Sequence, residues 1–310
     1  MRSPHRPHRE HRVPVALGRH LGAAEFGDPQ GFPVFWFHGT PGGRLQVPPD
    51  APSQAEKRGI RLFGVERPGT GWSTAHRYAR VRDFARDVAA MADELGIERF
   101  AVVGLSGGGP YVLACAHDLP HRVVAGGVLG GIGPTAGPDA VPSYTRALAF
   151  FHPALAAVAE PIGKRLPSAI RPLVPHASKA VRAFAAVAPK ADRPILTDPE
   201  FEAVLVGDIL HVMDGGLEAP LHDARLFARD WGFRLRDIRV PVTFFQGDAD
   251  GIVPESHGRH QAKLVPEGRF VLMPGGGHLA GYVDAGRVFA VVEPYFDRKP
   301  AAPRDEHPPR

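Results

Sequence analysis

The pentapeptide G-L-S-G-G at positions 104–108 decides the fold that we expect for this chain. It ends a short apolar run, Phe100–Leu105, that predicts a buried strand, and it leads into a stretch of helical character. A serine on a tight strand-to-helix turn needs small neighbours because the backbone is strained there. The turn pushes the hydroxyl out above the sheet, where the first N–H groups of the helix also point. The pattern therefore predicts that Ser106 is a nucleophile.

A glycine-rich turn at the start of a helix can instead hold a phosphate group. A phosphate-binding P-loop continues with Gly-Lys-Ser or Gly-Lys-Thr. Ser106 is followed by Gly-Gly-Gly-Pro and by no lysine, so a P-loop is excluded.

A serine hydroxyl is a weak nucleophile and needs a neighbouring base. His278 lies in G-G-G-H (275–278), just after the predicted strand Arg269–Met273. A glycine-rich loop at the carboxyl end of a strand lets an imidazole reach across to the serine, so we predict that His278 is the general base. A single histidine is more often an ordinary loop or core residue, and we keep that interpretation for the other histidines.

The base needs a carboxylate that orients it. The segment G-D-A-D-G-I-V-P (247–254) follows the predicted strand Val242–Phe245 and offers two candidates, Asp248 and Asp250. The spacing G-x-x-D-x-x-V-P selects Asp250 as the acid. An aspartate in such a loop can also cap a turn, and we assign that role to Asp248.

Acyl transfer also needs hydrogen-bond donors for the developing oxyanion. The loop H-G-T-P-G-G (38–43) follows an early predicted strand. We predict that the donors are the backbone N–H groups of Thr40 and Gly107, because Pro41 has no N–H. A simple Gly/Pro turn is the alternative interpretation of this loop. His38 is a possible second base, but we expect it to brace the loop.

Short apolar strands alternate with helical stretches along most of the chain, which predicts a parallel sheet covered on both faces. The alternation stops near position 133 and resumes near 237, and the stretch between them is helical in pattern. We expect a core domain at 13–132 and 237–297, a helical cap at 133–236, a disordered basic tail at 1–12 and a second disordered tail at 298–310. Individual predicted elements include a hairpin over Val13–Phe26, a cap helix over Tyr144–Ala159 and a closing helix over Ala280–Phe296.

Together these features resemble the α/β-hydrolase superfamily over roughly residues 15–296. The motifs that carry the resemblance are, in chain order, H-G-T-P-G-G, R-P-G-T-G-W-S (67–73), G-L-S-G-G-G-P, G-D-A-D-G-I-V-P and G-G-G-H. The chain order Ser, Asp, His is the one expected for this topology. The resemblance implies an α/β fold with a mostly parallel eight-stranded sheet, helices on both faces and a helical cap inserted after the sixth strand. Glu66 departs from the family, where Asp often precedes R-P-G, and we expect this to affect loop structure more than chemistry.

The resemblance implies a serine hydrolase that works without a cofactor or a metal. We expect a carboxylic ester hydrolase (EC 3.1.1) that forms an acyl-enzyme. Apolar residues of the predicted cap favour small to medium hydrophobic esters, although most of them would pack the cap onto the sheet. These residues are Phe150, Phe151, Leu155, Phe184, Leu205, Ile209 and Leu210.

Other activities of the same family stay open. The same triad can cleave C–C bonds of diketones, form peracids, or release N-terminal proline from peptides. Proline release would need cap carboxylates that hold an ammonium, and the available ones are Glu160, Glu200, Glu202, Asp208 and Asp214. A non-enzymatic alternative is a catalytically silent receptor or scaffold with this fold.

Composition limits the partners. The net charge is +4, but the basic residues are spread along the chain and both ends contribute strongly, so the charge does not indicate a nucleic-acid partner. No apolar run approaches the roughly 18–20 residues that span a bilayer, and the basic N-terminus lacks the apolar segment of a secretory signal. We therefore expect a cytoplasmic protein that acts on a small molecule. Cys115 is the single cysteine, so no intrachain disulfide can form, and the sequence leaves the oligomeric state open.

Overall fold

The computed structural model describes residues 6–142, 177–213 and 218–298. Its centre is an eight-stranded sheet with the strand order β1-β2-β4-β3-β5-β6-β7-β8. The strands are β1 (Arg9–Ala16), β2 (Arg19–Gly27), β3 (Phe32–Phe37), β4 (Ile60–Val65), β5 (Phe100–Leu105), β6 (Val123–Leu129), β7 (Val242–Gly247) and β8 (Gly268–Met273). β2 runs antiparallel to both β1 and β4, and every other neighbouring pair is parallel. This is the mostly parallel sheet that the family resemblance implies.

Helices cover both faces of this sheet. Their bounds are α1 (Ala51–Lys57), α2 (Phe84–Glu94), α3 (Gly109–Asp118), α4 (Ala177–Val187), α5 (Arg193–Leu196), α6 (Pro199–Met213), α7 (Glu218–Phe227), α8 (Glu255–Leu264) and α9 (Ala285–Phe289). Short 3-10 turns at Val81–Asp83 and Ser106–Gly108 lead into α2 and α3.

Alternate side chains of the central strands build two apolar cores, one on each face of the sheet. Phe35 and Phe37 of β3 enter the core beneath α2 and α3, whereas Val34 and Trp36 enter the core beneath α1 and α9. All residues of β5 are buried, as expected for a parallel strand that is covered on both faces. The carboxyl end of β5, where Ser106 lies, is therefore fixed by packing on both sides.

Helices α4 to α7 lie between β6 and β7, in the region where the sequence predicts a helical cap. We call the described part of this region, residues 177–213 and 218–227, the cap. In the part of that region that the structure describes, no strand interrupts the helices. The helix predicted over Tyr144–Ala159 lies outside the described residues. Among helices in the described ranges, none is long and apolar enough to cross a bilayer.

The basic tail expected at 1–12 is shorter than predicted, because β1 begins at Arg9. Two side-chain contacts hold this end of the strand. The carboxylate of Glu10 lies 2.7 Å from the Arg44 guanidinium, and His11 Nε2 lies 2.7 Å from the Glu25 carboxylate. These partners lie 14 and 34 residues away in the chain, so the composition of the tail alone could not reveal them.

The closing helix expected over Ala280–Phe296 is also wrong in its length. Only α9 and a 3-10 turn at Glu293–Tyr295 are helical there. Asp284 explains the late start, because its side chain accepts the backbone N–H of Arg287 at 2.8 Å and so caps the N-terminus of α9. The apolar periodicity upstream of Asp284 belongs to a loop that packs against the sheet.

Candidate active site

Ser106 occupies the strained turn that the sequence predicts between β5 and α3. Its φ of +51° lies in the left-handed region, which residues other than glycine rarely adopt. Close packing of the backbone around the turn explains the neighbouring glycines. A Cβ on Gly104 would lie 2.7 Å from the carbonyl carbon of Gly108, and a Cβ on Gly108 would lie 2.3 Å from the carbonyl oxygen of Phe37. Only glycine fits these two positions without a shift of the backbone.

His278 and Asp250 form a direct hydrogen-bonded pair. His278 Nδ1 lies 2.8 Å from Asp250 Oδ2, the Asp250 side chain is fully buried, and the imidazole is nearly so. With Asp250 as a carboxylate acceptor, the ring proton resides on Nδ1, which leaves the lone pair of Nε2 free. This arrangement suits a base that takes a proton at Nε2.

The carboxylate of Asp250 is held by three donors besides the imidazole. Oδ1 accepts the backbone N–H groups of Ile252 and Val253, each at 2.8 Å. Oδ2 accepts Gln246 Nε2 at 2.7 Å, in addition to its bond with His278. Asp250 is thus fixed as an acceptor on both oxygens.

Asp248, the competing acid, lies in a different environment. It is exposed, and its Oδ1 accepts the backbone N–H of Gly275 at 2.7 Å. This contact braces the turn after β8. Of the two candidates, Asp250 is the one that contacts His278.

The side chain of Gln46 holds the H-G-T-P-G-G loop after β3, which we call the oxyanion loop after the role predicted for it. The backbone N–H of Gly39 donates to Gln46 Oε1 at 2.6 Å, and Gln46 Nε2 donates to the Pro41 carbonyl at 3.3 Å. The loop lies close to the serine turn, since a Cβ on Gly107 would lie 2.3 Å from Thr40 Oγ1. Thr40 and Gly107, the two predicted oxyanion donors, are therefore neighbours.

His38 is buried and has both ring nitrogens in use. Nδ1 donates to the Gly39 carbonyl at 2.7 Å, and Nε2 accepts the backbone N–H of Arg67 at 3.2 Å. Burial, with the Arg67 charge nearby, holds the pKa of His38 well below its usual range. A neutral imidazole with no free nitrogen braces the loop and is not available as a second base.

Ser106, Thr40 and His278 line one cavity of about 160 Å³, which we call the Ser106 cavity. Its wall is mostly apolar and comes from both the core and the cap. The cap contributes Ala188, Pro189, Leu196, Phe201, Val204 and Leu205. Of the apolar cap residues singled out in the sequence, Leu205 is therefore at the cavity. Phe150, Phe151 and Leu155, and the side chains of Phe184, Ile209 and Leu210, lie outside the described residues.

Three of the acids considered as ammonium ligands lie in the described residues, and none of the three lines the Ser106 cavity. Glu200 is exposed, and Glu202 pairs with Arg182 at 3.1 Å, away from the Ser106 cavity. Asp208 is fully buried and accepts the backbone N–H groups of Gly43 and Leu45 at 2.8 and 3.3 Å. Glu160 and Asp214 lie outside the described residues.

Sequence reasoning missed three buried charged residues that contact the site. Asp192 lines the Ser106 cavity, and Arg67 and Asp223 lie behind the oxyanion loop. Arg67 belongs to the R-P-G-T-G-W-S motif, and this motif was the one sequence signal that could have pointed to any of the three residues. The two cap acids carry no recognisable spacing, because their partners lie more than eighty residues away.

Comparison with known proteins agrees with this architecture. The family model for the alpha/beta hydrolase fold matches residues 33–285, which is most of the chain. The chain therefore belongs to the α/β-hydrolase family, as its motifs predict. A curated relative, a probable proline iminopeptidase of Leptolyngbya boryana, is 23% identical over 307 residues, covering 93% of each protein.

Two solved esterases have a similar fold. The esterase RhEst1 from Rhodococcus sp. ECU1013 superposes with a TM-score of 0.61 at 21% identity, covering 94% of this chain and 98% of that one. A thermophilic esterase from Thermogutta terrifontis gives a TM-score of 0.64 at 20% identity, covering 94% of this chain and all of that one. At these identities the likeness concerns the fold.

Proposed function

We propose that this hydrolase is a serine esterase that cleaves small, apolar esters through an acyl-enzyme. The observation that carries the proposal is the buried Asp250–His278 pair, whose imidazole opens onto the same apolar cavity as Ser106. An apolar wall suits an acyl group, and a nucleophile beside a base that is oriented by a third group suits acyl transfer.

The reaction begins when Ser106 Oγ attacks the ester carbonyl and its proton passes to His278 Nε2. The backbone N–H groups of Thr40 and Gly107 hold the negative charge on the former carbonyl oxygen. The C–O bond to the alcohol breaks, and the alcohol leaves with the proton from His278. A water then gives its proton to His278 and attacks the acyl-enzyme, which releases the acid and restores Ser106. Asp250 stabilises the imidazolium at both stages.

The size of the Ser106 cavity favours a short acyl group. An enclosed cavity of about 150 Å³ in another protein core binds benzene, so the Ser106 cavity, at about 160 Å³, has room for an acyl group of roughly six carbons. We expect kcat/KM for p-nitrophenyl esters to peak at short acyl chains and to fall for chains of about ten carbons and longer.

Proline release, the activity in the name of the curated relative, is the second candidate. Among the described residues, Asp192 is the single carboxylate that lines the Ser106 cavity, and both of its oxygens accept backbone N–H groups. A substrate ammonium would have to share this carboxylate, whereas an ester needs no such partner. We therefore place ester cleavage first.

One experiment tests the proposal and its rivals. The purified protein is treated with a fluorophosphonate probe and assayed against p-nitrophenyl esters, aminoacyl p-nitroanilides and diketones. We expect labelling and ester turnover, both lost in Ser106→Ala, with kcat lower by about 10⁴–10⁶-fold. Turnover of the prolyl anilide or a diketone in place of the esters would replace our first candidate. Absence of labelling and of turnover would favour a silent scaffold.

A further inference from the structure

A buried arginine contacts the oxyanion loop from behind. The guanidinium of Arg67 donates to the His38 carbonyl from Nη1 at 2.6 Å and to the Gly39 carbonyl from Nη2 at 2.7 Å. Nη2 also donates to Thr40 Oγ1 at 2.9 Å. Arg67 is almost fully buried, so these bonds form away from bulk water, where charge-assisted contacts are strong.

The contact with Gly39 fixes the direction of the Thr40 N–H. The Gly39 carbonyl and the Thr40 N–H belong to one planar trans peptide, so the two groups point in opposite directions. Two donors hold that carbonyl, Arg67 Nη2 and His38 Nδ1, each at 2.7 Å. Rotation of this peptide would break both bonds, so the N–H that we assign to the oxyanion is held in place from its other end.

The cap holds Arg67 in turn. Asp223 of α7 accepts Arg67 Nε at 2.7 Å and the Thr40 hydroxyl at 3.0 Å, both on Oδ2. Its other oxygen accepts the hydroxyl of Tyr111 at 2.6 Å. Asp223 is buried like Arg67, so the pair compensates two charges that would be costly if left alone.

The same network also reaches the second predicted donor. Thr40 Oγ1, which is held by Arg67 and Asp223, lies so close to Gly107 that a Cβ there would approach it to 2.3 Å. The side chain of Thr40 therefore packs directly against Gly107.

We propose that Arg67 and Asp223 are positioning residues for the oxyanion hole, and that the cap takes part in acyl transfer through Asp223. The inference rests on the proposed function, because it assumes that Thr40 and Gly107 hold an oxyanion. It adds to the proposed function that a buried ion pair between the core and the cap determines kcat.

The test compares this pair with a matched pair elsewhere in the chain. Arg67→Lys keeps the charge but loses the planar fork that reaches two carbonyls and a carboxylate, and Asp223→Asn removes the anchoring charge. The controls are Arg234→Lys and Asp139→Asn. Asp139 is also a buried acid, and it accepts Arg234 Nε at 3.1 Å and the Leu235 N–H at 2.7 Å.

The readouts are kcat and KM for a short p-nitrophenyl ester and Ki for a trifluoromethyl ketone, which forms a tetrahedral oxyanion on the serine. Loss of one oxyanion donor costs about 10²–10³-fold in kcat, so a misaligned donor should cost about 10–100-fold in Arg67→Lys and Asp223→Asn. We expect Ki to weaken by a similar factor while KM changes less than about threefold. The Arg234 and Asp139 variants should lose melting temperature without these changes.

Three results would decide against the inference. If kcat falls in the Arg67 and Asp223 variants while Ki stays at the wild-type value, the two residues have a structural role only. The same conclusion follows if kcat and Ki change equally in the Arg234 and Asp139 variants. If Arg67→Lys or Asp223→Asn does not fold, Tyr111→Phe takes its place, because it removes one hydrogen bond to Asp223 and keeps the aromatic ring. Unchanged kcat and Ki in Tyr111→Phe would also contradict the inference. A wild-type protein that neither hydrolyses esters nor labels would instead overturn the proposed function itself.

Discussion

The carboxylate of Asp192 accepts the backbone N–H of His278 at 3.0 Å and thereby connects the cap to the loop that carries the imidazole. The other carboxylate oxygen accepts the N–H of Leu279 at 2.8 Å. The approach is so close that a Cβ on Gly277 would lie 2.3 Å from Asp192 Oδ1, which explains the glycine at that position. The backbone of His278 is thus fixed by the cap, and its side chain by Asp250.

We predict that Asp192→Asn lowers kcat for esters by about tenfold. An amide offers one acceptor in place of two, so its NH₂ group must face the N–H of either His278 or Leu279, and the loop has to move. Displacement of a catalytic group by a fraction of an ångström is enough for such a loss. The measurement is kcat for a short p-nitrophenyl ester.

Asp198→Asn is the matched control for that variant. Asp198 is an exposed cap residue whose Oδ1 accepts the N–H groups of Glu200 and Phe201, each at 3.0 Å, at the start of α6. Its replacement should leave kcat within about twofold of wild type, because an amide oxygen can still cap this helix. Equal kcat in the Asp192 and Asp198 variants would show that the Asp192 contact has no catalytic consequence.

Most of the sheet could be predicted from sequence, because β3 to β8 are short apolar runs between turn residues, whereas β1 is polar and mostly exposed. The serine turn could be predicted as well, because the close backbone packing at positions 104 and 108 leaves room only for glycine. His278 and Asp250 could be selected because both follow strands whose carboxyl ends meet at one edge of the sheet.

The contacts between cap and core could not be predicted. Asp192, Asp208 and Asp223 each bind backbone or side chains of a loop in the core, and their positions depend on how the cap helices pack. Nothing in the local sequence distinguishes them from solvent-exposed acids. Asp208, one of the acids available to a proline-releasing enzyme, does not line the Ser106 cavity; it is buried and accepts the backbone N–H groups of Gly43 and Leu45.

Asp208 should make stability fall as pH rises. Burial raises the pKa of Asp208 to about 7, from an ordinary value near 3.8, and the N–H groups of Gly43 and Leu45 offset this only in part. The folded protein then binds a proton that the unfolded chain has already lost between about pH 4 and 7, so the free energy of unfolding decreases with pH over that window.

The matched variant for this effect is Asp208→Asn, which does not titrate. We predict that the melting temperature of wild type relative to Asp208→Asn is highest near pH 4, declines steadily towards pH 7, and is flat above about pH 8. A constant difference from pH 5 to 8 would mean that the carboxyl keeps one protonation state throughout.

Two Gly→Ala substitutions compare the steric cost of a Cβ in the serine turn with the gain in helix propensity that alanine gives elsewhere. The Cβ of Gly108→Ala would lie 2.3 and 2.9 Å from the carbonyl oxygens of Phe37 and His38, which are fixed by the sheet and by the oxyanion loop. We expect a loss of about 1–3 kcal/mol in the free energy of unfolding, together with a loss of activity.

Gly207→Ala is the opposite case. Gly207 lies within α6, and a Cβ there would have no atom within 4 Å. Alanine should therefore stabilise the protein by about 0.5–1 kcal/mol through helix propensity, with activity retained. Chemical denaturation of both variants measures the two changes, and stabilisation by Gly108→Ala would contradict the packing described for the turn.

The last prediction concerns the two acids of the G-D-A-D-G-I-V-P loop. In Asp250→Asn the amide cannot satisfy its surroundings in either orientation. If NH₂ replaces Oδ2, it faces Gln246 Nε2 and His278 Nδ1; if it replaces Oδ1, it faces the N–H groups of Ile252 and Val253. The first orientation also favours the wrong imidazole tautomer, which costs about 10⁴-fold in kcat in other triads.

We therefore predict a loss of about 10³–10⁵-fold in kcat for Asp250→Asn. Asp248→Asn should lose less than about tenfold, because Asp248 accepts a single N–H, that of Gly275, and an amide oxygen can replace the carboxylate oxygen there. The measurement is kcat for both purified variants beside their melting temperatures, so that a folding defect is not mistaken for a catalytic one. An inactive Asp248→Asn beside an active Asp250→Asn would mean that the bond seen between Asp250 and His278 does not serve the reaction, and that the acid of the triad has to be reassigned.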